Sequence, residues 1–383
     1  MKISLVYEFL TETGGIERLM ANNARMLQEA GFDVEILTCH YNDETLKNTG
    51  LDKVKVKNIS SFKTPLESLS MALCFLGFNK VDGDKSDLFI SYSFPSNYLI
   101  RNVKTKKINF LNHFPRWLNA DVKGRYLWAK STHGIKRMVA FLLSILFGKR
   151  LRALDKALVR NNDLIFTSCD YLKKVIEPPY KINAVISYPP VDEVFKESKE
   201  KIDETFILYS GRIIPDKKFD WLIESCSYMK NKVPLYLSGQ GNDAYINELK
   251  DLASKKGVKL KFLGKLSTDD LIKYYSSAQL TAFPVPVCEY GMIAIEALAC
   301  GTPSVVWGDN AGPAEQITDG VNGFYAKPYD LKDFGAKMDK CIDLNLKQKN
   351  KRKIKDSARK FLYEDVKTDF VKEIKRTLTN YKQ

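Results

Sequence analysis

Arg212 and Lys217 are the first residues whose type and spacing suggest chemistry. They lie in "SGRIIPDKKFDWLI", Arg212 directly behind an apolar run that reads as a strand and Lys217 five residues further on. Two cations in a loop at the carboxyl end of a strand can give charge-assisted hydrogen bonds to the oxygens of a diphosphate. The pair alone does not establish this, since a surface loop of so basic a chain carries cations in any case. The stretch "FPVPVCEYGMIAIEALACGTPSV", Phe283 to Val305, strengthens it. Its helix, expected from about Gly291 to Ala299, starts with amides unpaired within the helix and a partial positive charge, where phosphate oxygens bind. Gly291 lets backbone approach closely at the helix start beside Met292 and Ile293, and Gly301 with Pro303 ends the helix. Glu296 is the exception in this apolar helix. A carboxylate there either occupies an exposed strip or has a partner such as a ribose diol or an arginine. Glu289 is a second carboxylate, and Cys288 beside it has no base near it in sequence that would make it a nucleophile.

The elements that must position these residues alternate strand and helix. The chain opens with a strand over Lys2 to Tyr7, a turn "TETGG" holding Gly14 and Gly15, a helix from about Ile16 to Ala30 closed by Gly31, and a strand "DVEILT". Such βαβ units imply a parallel sheet with right-handed crossovers. Further short apolar strands begin near Asp87, Lys107, Asp163 and Ile182. From Glu204 the pattern restarts with "TFILYSGR", "VPLYLSGQG", "VKLKFLGKL", "LTAFPVP" and "PSVVWGD" as strands, and helices between them that carry Ser/Thr caps and C-terminal glycines. The class is therefore α/β, with two Rossmann-like sheets. Ligands in such folds bind at the carboxyl ends of strands. The charged segment Val191 to Glu204 reads as the linker. The expected division is 1–195 for an amino-terminal acceptor-binding domain, 196–362 for a carboxy-terminal nucleotide-binding domain, and 363–383 for a helix crossing back to the first.

At 383 residues the chain exceeds one ordinary core, and 44% apolar with 28% charged residues excludes a disordered chain or a fibre. The formal net charge of +14 admits nucleic acid, an anionic membrane surface or a phosphorylated substrate. No interleaved basic and aromatic motif supports nucleic acid, so no nucleic-acid partner is expected. Seven scattered cysteines without a C-x-x-C pair speak against a disulfide framework and a zinc site, and fit a reducing cytoplasm. The amino terminus lacks a signal-peptide cleavage pattern. The stretch Arg137 to Arg160 holds an apolar run, Met138 to Phe147, about half the length that spans a bilayer. With Lys149, Arg150, Arg152, Lys156 and Arg160 behind it, it reads either as a basic amphipathic segment lying on an anionic leaflet or as a core helix followed by a solvated one. His40 and His133 are expected at the surface.

In order along the chain, "MKISLVYEFLTETGGIERLMANNARMLQEAGFDVEILT", "NHFPRWLN", "ISYPPVD", "GRIIPDKKFDWLIES", "LSGQG", "FLGKLSTDDLIKYYSSA", "EYGMIAIEALACGTPSVV" and "NAGPAEQITDGVNGF" resemble the large retaining glycosyltransferase family four, especially its mannosyltransferase-like members. The resemblance covers nearly the whole chain. It implies the GT-B fold, two facing Rossmann-like domains with a cleft between them, and a retaining, metal-independent hexosyltransferase. By position it gives Gly211, Arg212 and Lys217 to the donor diphosphate, Glu296 to the donor ribose, and the backbone of Gly291, Met292 and Ile293 to diphosphate and sugar. Gly14 and Gly15 go to the donor phosphate and sugar, His113 to the reacting centre, and Glu315 matches a family glutamate of less defined role. His113 also ends an apolar strand ahead of Pro115, and an imidazole can hydrogen-bond a sugar hydroxyl or stabilise charge at the anomeric carbon.

One position departs from the pattern. With Gly291 and Glu296 aligned, the family's first glutamate falls on Cys288 and Glu289 comes one place late. Either the loop bulges so that Glu289 reaches the sugar, or the sugar is recognised without that contact. The expected donor is GDP-mannose or a UDP-hexose, the acceptor a hydroxyl of a lipid-linked or cell-surface glycan, and the place the cytoplasm or the inner face of the cell membrane. No resident cofactor and no metal are expected, as there is no acidic D-x-D site. The alternatives are a nucleotide-sugar epimerase of the same fold and a catalytically inactive binding homologue.

Overall fold

A computed structural model describes residues 1–379 apart from 12–13, 62–68, 71–72, 75, 80, 82–84, 114 and 131–134. It contains two compact units. One comprises Met1–Ser168, Leu172–Pro189 and the chain from Lys367 on, the other Cys169–Tyr171 and Pro190–Val366.

The first unit is built on strands β1 (Lys2–Val6), β3 (Asp33–Thr38), β5 (Lys55–Asn58), β6 (Leu88–Tyr92), β7 (Lys106–Phe110), β8 (Leu164–Thr167) and β9 (Val185–Ile186). They pair in the order β5-β3-β1-β6-β7-β8-β9, parallel throughout. A two-residue pair, β2 (Phe9–Leu10) with β4 (His40–Tyr41), stands beside this sheet. The central strands are apolar runs rather than alternating ones, because a parallel sheet is covered on both faces; β6 and β8 are buried at every residue. The helix Gly15–Glu29 returns the chain from β1 to β3 and buries Leu19, Met20, Met26 and Leu27. The carboxy-terminal helix Tyr363–Thr379 joins this unit from Lys367 on, where Phe370 meets Phe166 with ring centroids 5.4 Å apart.

The second unit repeats the arrangement with β10 (Ile207–Ser210), β11 (Leu235–Ser238), β12 (Leu260–Gly264), β13 (Leu280–Phe283), β14 (Ser304–Trp307) and β15 (Gly323–Ala326). Their order is β12-β11-β10-β13-β14-β15, again all parallel. Helix starts follow local chemistry: Asn242 accepts from the Ala244 amide, Ser267 from Asp270, and Asp330 from Lys332 and Asp333. Gly257, at φ +65°, closes the helix Asp243–Lys256.

The charged linker, the boundaries between units and His40 differ from the sequence-based expectations. The charged segment Val191 to Glu204 is packed on the second unit rather than strung between units. Its Ser198 and Ile202 amides donate to Ser276 and Ser277 hydroxyls at 2.9 Å each, and Glu197 gathers Lys201, Lys351 and Lys355. The units divide between Pro189 and Pro190 and between Val366 and Lys367, where patterning sets the boundaries after residues 195 and 362. The stretch Arg137 to Arg160 is covered by two helices, Ile135–Leu146 and Gly148–Arg160, broken at Phe147. His40 is half-buried in β4 rather than exposed, and His133 lies outside the described residues.

Candidate functional site

In the second sheet the strand order reverses between β10 and β13, and the crevice at such a switch point is where doubly wound sheets bind ligands. The segments leaving these two strands hold Gly211, Arg212, Lys217, Glu289, Gly291 and Glu296, while Glu315 follows β14.

Beyond β10 the chain stays zipped to the segment beyond β11. The Gly211 amide donates to Ser238 O at 2.9 Å and the Ile213 amide to Gln240 O at 2.7 Å. The approach is so close that a Cβ on Gly239, itself at φ +138°, would lie 1.8 Å from Gly211 O. Arg212 is thus held by the backbone on either side, while its side chain is exposed and makes no hydrogen bond or ion pair among the described residues. Lys217 ends the short turn Pro215–Lys217, its carbonyl accepting from the Tyr209 hydroxyl at 2.9 Å. Its ammonium group also has no partner among the described residues. Two anchored backbones thereby carry two uncommitted cations.

Beyond β13 the chain reaches the helix Met292–Ala299 through Gly291, at φ +76° and ψ 75°. A Cβ there would meet Pro313 Cγ at 2.8 Å, so both conformation and space demand glycine. The backbone before it is clamped: Gly312 N donates to Cys288 O at 2.9 Å, Gln316 Nε2 to Tyr290 O at 2.6 Å, and Cys169 Sγ to Glu289 O at 2.8 Å. Val287, a β-branched residue at φ +48°, stores backbone strain immediately before Cys288 and Glu289. Both of these side chains are half-buried. Glu315 is engaged with the backbone, accepting from the Asp170 amide at 2.8 Å within the same unit.

Glu296 is half-buried. Its Oε2 accepts from the Tyr275 hydroxyl at 3.0 Å. Tyr275 is fully buried. Burial, then the adjacent Glu296 carboxylate, pushes the Tyr275 phenol well above its ordinary range, so it remains a donor that orients the carboxylate. Tyr275 was not singled out from sequence; the only signal was the pair Tyr274–Tyr275 inside an amphipathic helix, which reads equally as core.

In the first unit Gly14 caps the helix Gly15–Glu29, and its amide donates to Glu17 Oε2 at 3.1 Å. Gly15 is exposed, and a Cβ on it would meet nothing within 4 Å among the described residues. His113 is half-buried three residues beyond β7, and Phe114 of the "NHFPRWLN" motif is outside the described residues. A further residue at the end of β1 was missed. The Glu8 carboxyl is pushed up to about 7 by burial, against the lowering effect of a hydrogen bond from Ser96, and Glu17 adds a like charge.

Two Rossmann-like units, each with a parallel sheet, give the GT-B fold class, and solved structures agree. HepE of Anabaena, determined in complex with UDP, superposes with a TM-score of 0.74 over 98% of this chain and 100% of that one at 15% identity. Sucrose-phosphate synthase of Thermosynechococcus elongatus gives 0.72, over 98% of each chain, also at 15% identity. Residues 190–361 match the family model described as glycosyl transferases group 1. An uncharacterised glycosyltransferase of Methanocaldococcus jannaschii is 26% identical over 100% of this chain and 98% of its own length. Mannosylfructose-phosphate synthase of Agrobacterium fabrum is 25% identical over 85% of this chain and 78% of its own length.

Proposed function

We propose that this group 1 glycosyltransferase is a retaining hexosyltransferase that uses a nucleoside-diphosphate sugar, GDP-mannose or a UDP-hexose, and a hydroxyl of a lipid-linked or cell-surface glycan. The observation that carries the donor half is the pair of uncommitted cations, Arg212 and Lys217, fixed at the switch point beside the start of the helix Met292–Ala299. In this reading the bond from the anomeric carbon to the diphosphate oxygen breaks as the acceptor oxygen bonds the same face. The acceptor proton passes to the departing diphosphate. Arg212, Lys217 and the first-turn amides at Gly291, Met292 and Ile293 neutralise the charge that develops on the diphosphate, the work a metal ion does elsewhere. Glu296, oriented by Tyr275, accepts from the ribose hydroxyls. Gly211 keeps the loop low, and Gly14 and Gly15, in the first unit, are the glycines assigned to phosphate and sugar. His113 stabilises the sugar side, and Glu289 reads the sugar from the strained loop behind Val287. The work is done by the chain's own groups, without metal or resident cofactor, at the inner face of the cell membrane.

The reading is tested by incubating the protein with GDP-mannose, UDP-glucose and UDP-galactose, with and without membrane lipid extract, and measuring nucleoside diphosphate release. Acceptor-dependent release from one donor is expected. No release from folded protein with any donor would sink the reading, and with nucleotide still bound would favour the inactive homologue that Cys288 at the family's glutamate position suggests. Interconversion of nucleotide sugars without acceptor would mark an epimerase instead.

A further inference from the structure

The helix Ile135–Leu146 ends in large apolar side chains turned to solvent: Leu142 is 53% exposed, Leu143 43%, Ile145 46%, Leu146 72% and Phe147 48%. The end is not frayed. Ser144, among them, is buried, and its carbonyl and hydroxyl accept from Arg125 Nη1 at 2.9 and 3.1 Å, which fixes the side of the helix that faces protein. The helix Val122–Lys130 packs alongside through Tyr126 and Phe141, ring centroids 5.8 Å apart, and leaves Val122 and Tyr126 exposed as well. Contiguous apolar surface of this size marks an interaction site.

Charge selects the partner. The next helix, Gly148–Arg160, begins with Lys149 and Arg150, both exposed. Its single acid, Asp155, is buried and accepts from the Tyr180 hydroxyl at 2.5 Å, so it does not offset those cations at the surface. No helix among the described residues is long and apolar enough to cross a membrane. Apolar side chains beside exposed cations are the pattern of a helix lying in the interface of an anionic bilayer. We propose that the face formed by Leu142, Leu143, Ile145, Leu146 and Phe147, flanked by Lys149 and Arg150, docks the first unit on an anionic lipid bilayer. The apolar side chains enter the acyl boundary and the two cations meet headgroup phosphates. This face belongs to the first unit and Arg212 and Lys217 to the second, so either assignment can fail without the other.

The test is co-sedimentation with vesicles of phosphatidylcholine alone and of phosphatidylcholine mixed with phosphatidylglycerol. Binding is expected to the mixed vesicles only and to weaken as salt rises. Leu142→Asp with Leu146→Asp should weaken it about tenfold or more, and Lys149→Ala with Arg150→Ala roughly fivefold for each charge removed. Circular dichroism and nucleotide binding should match wild type in both variants. Wild-type protein that ignores both vesicle types, or variants that bind like wild type, would overturn the proposal. So would a wild-type dimer that ignores vesicles and becomes monomeric in the leucine variant, since the face would then be a contact between copies of the chain.

Discussion

Glu296 and Tyr275 show how a carboxylate is held in an apolar helix. The buried phenol donates to Oε2 at 3.0 Å. Tyr275→Phe removes one charge-assisted hydrogen bond, worth about 1.5–3 kcal/mol. Donor KM should rise roughly tenfold with little change in kcat, measured by steady-state kinetics on the donor that turns over; an unchanged KM would detach Tyr275 from the site. Glu8 makes a prediction about pH. Its folded-state value of about 7 lies above the ordinary 4.5, because burial disfavours the charged form. The folded chain therefore holds the proton more tightly, and Glu8's contribution to stability is full below pH 4.5 and is lost as pH rises through 7. Glu8→Gln should flatten that part of the stability curve by on the order of 2 kcal/mol, read from urea unfolding across the range. A parallel pair of curves would contradict it.

At the scale of elements, the two glycine-bearing loops decide whether the site exists. Gly291→Ala must fit a side chain at φ +76° and 2.8 Å from Pro313 Cγ, which should cost about 1–3 kcal/mol and tilt the start of the helix. A fall in melting temperature together with weaker nucleotide binding is expected; unchanged values of both would mean that the loop relaxes. The long strands and their following loops were legible because each is a continuous apolar run ended by glycine, as in "FILYSGR". The pair β2–β4, two residues per strand, gives no such run. Val191 to Glu204 misled because charge usually marks solvated chain, whereas here Glu197 is the counter-ion of three lysines on other turns. Arg212, Lys217 and Glu296 stand out by charge in local motifs, but Tyr275, 21 residues from Glu296, could be assigned to it only once the helices were packed.

For the whole molecule, both units follow one plan, a parallel sheet whose order reverses at its first strand, and Arg212 and Lys217 lie at that reversal in the second. The net charge of +14 has two local expressions, the cations at the donor site and those beside the apolar face of the first unit. Only the former enters the central claim, that Arg212 and Lys217 hold a nucleoside diphosphate. The most direct measurement is calorimetric titration of UDP and GDP into wild type, Arg212→Ala and Lys217→Ala. At least one nucleotide should bind wild type, each substitution should weaken it roughly ten- to hundredfold, and melting temperatures should stay close to wild type because neither cation has a partner to lose among the described residues. Wild-type affinity retained in both folded variants would contradict the assignment.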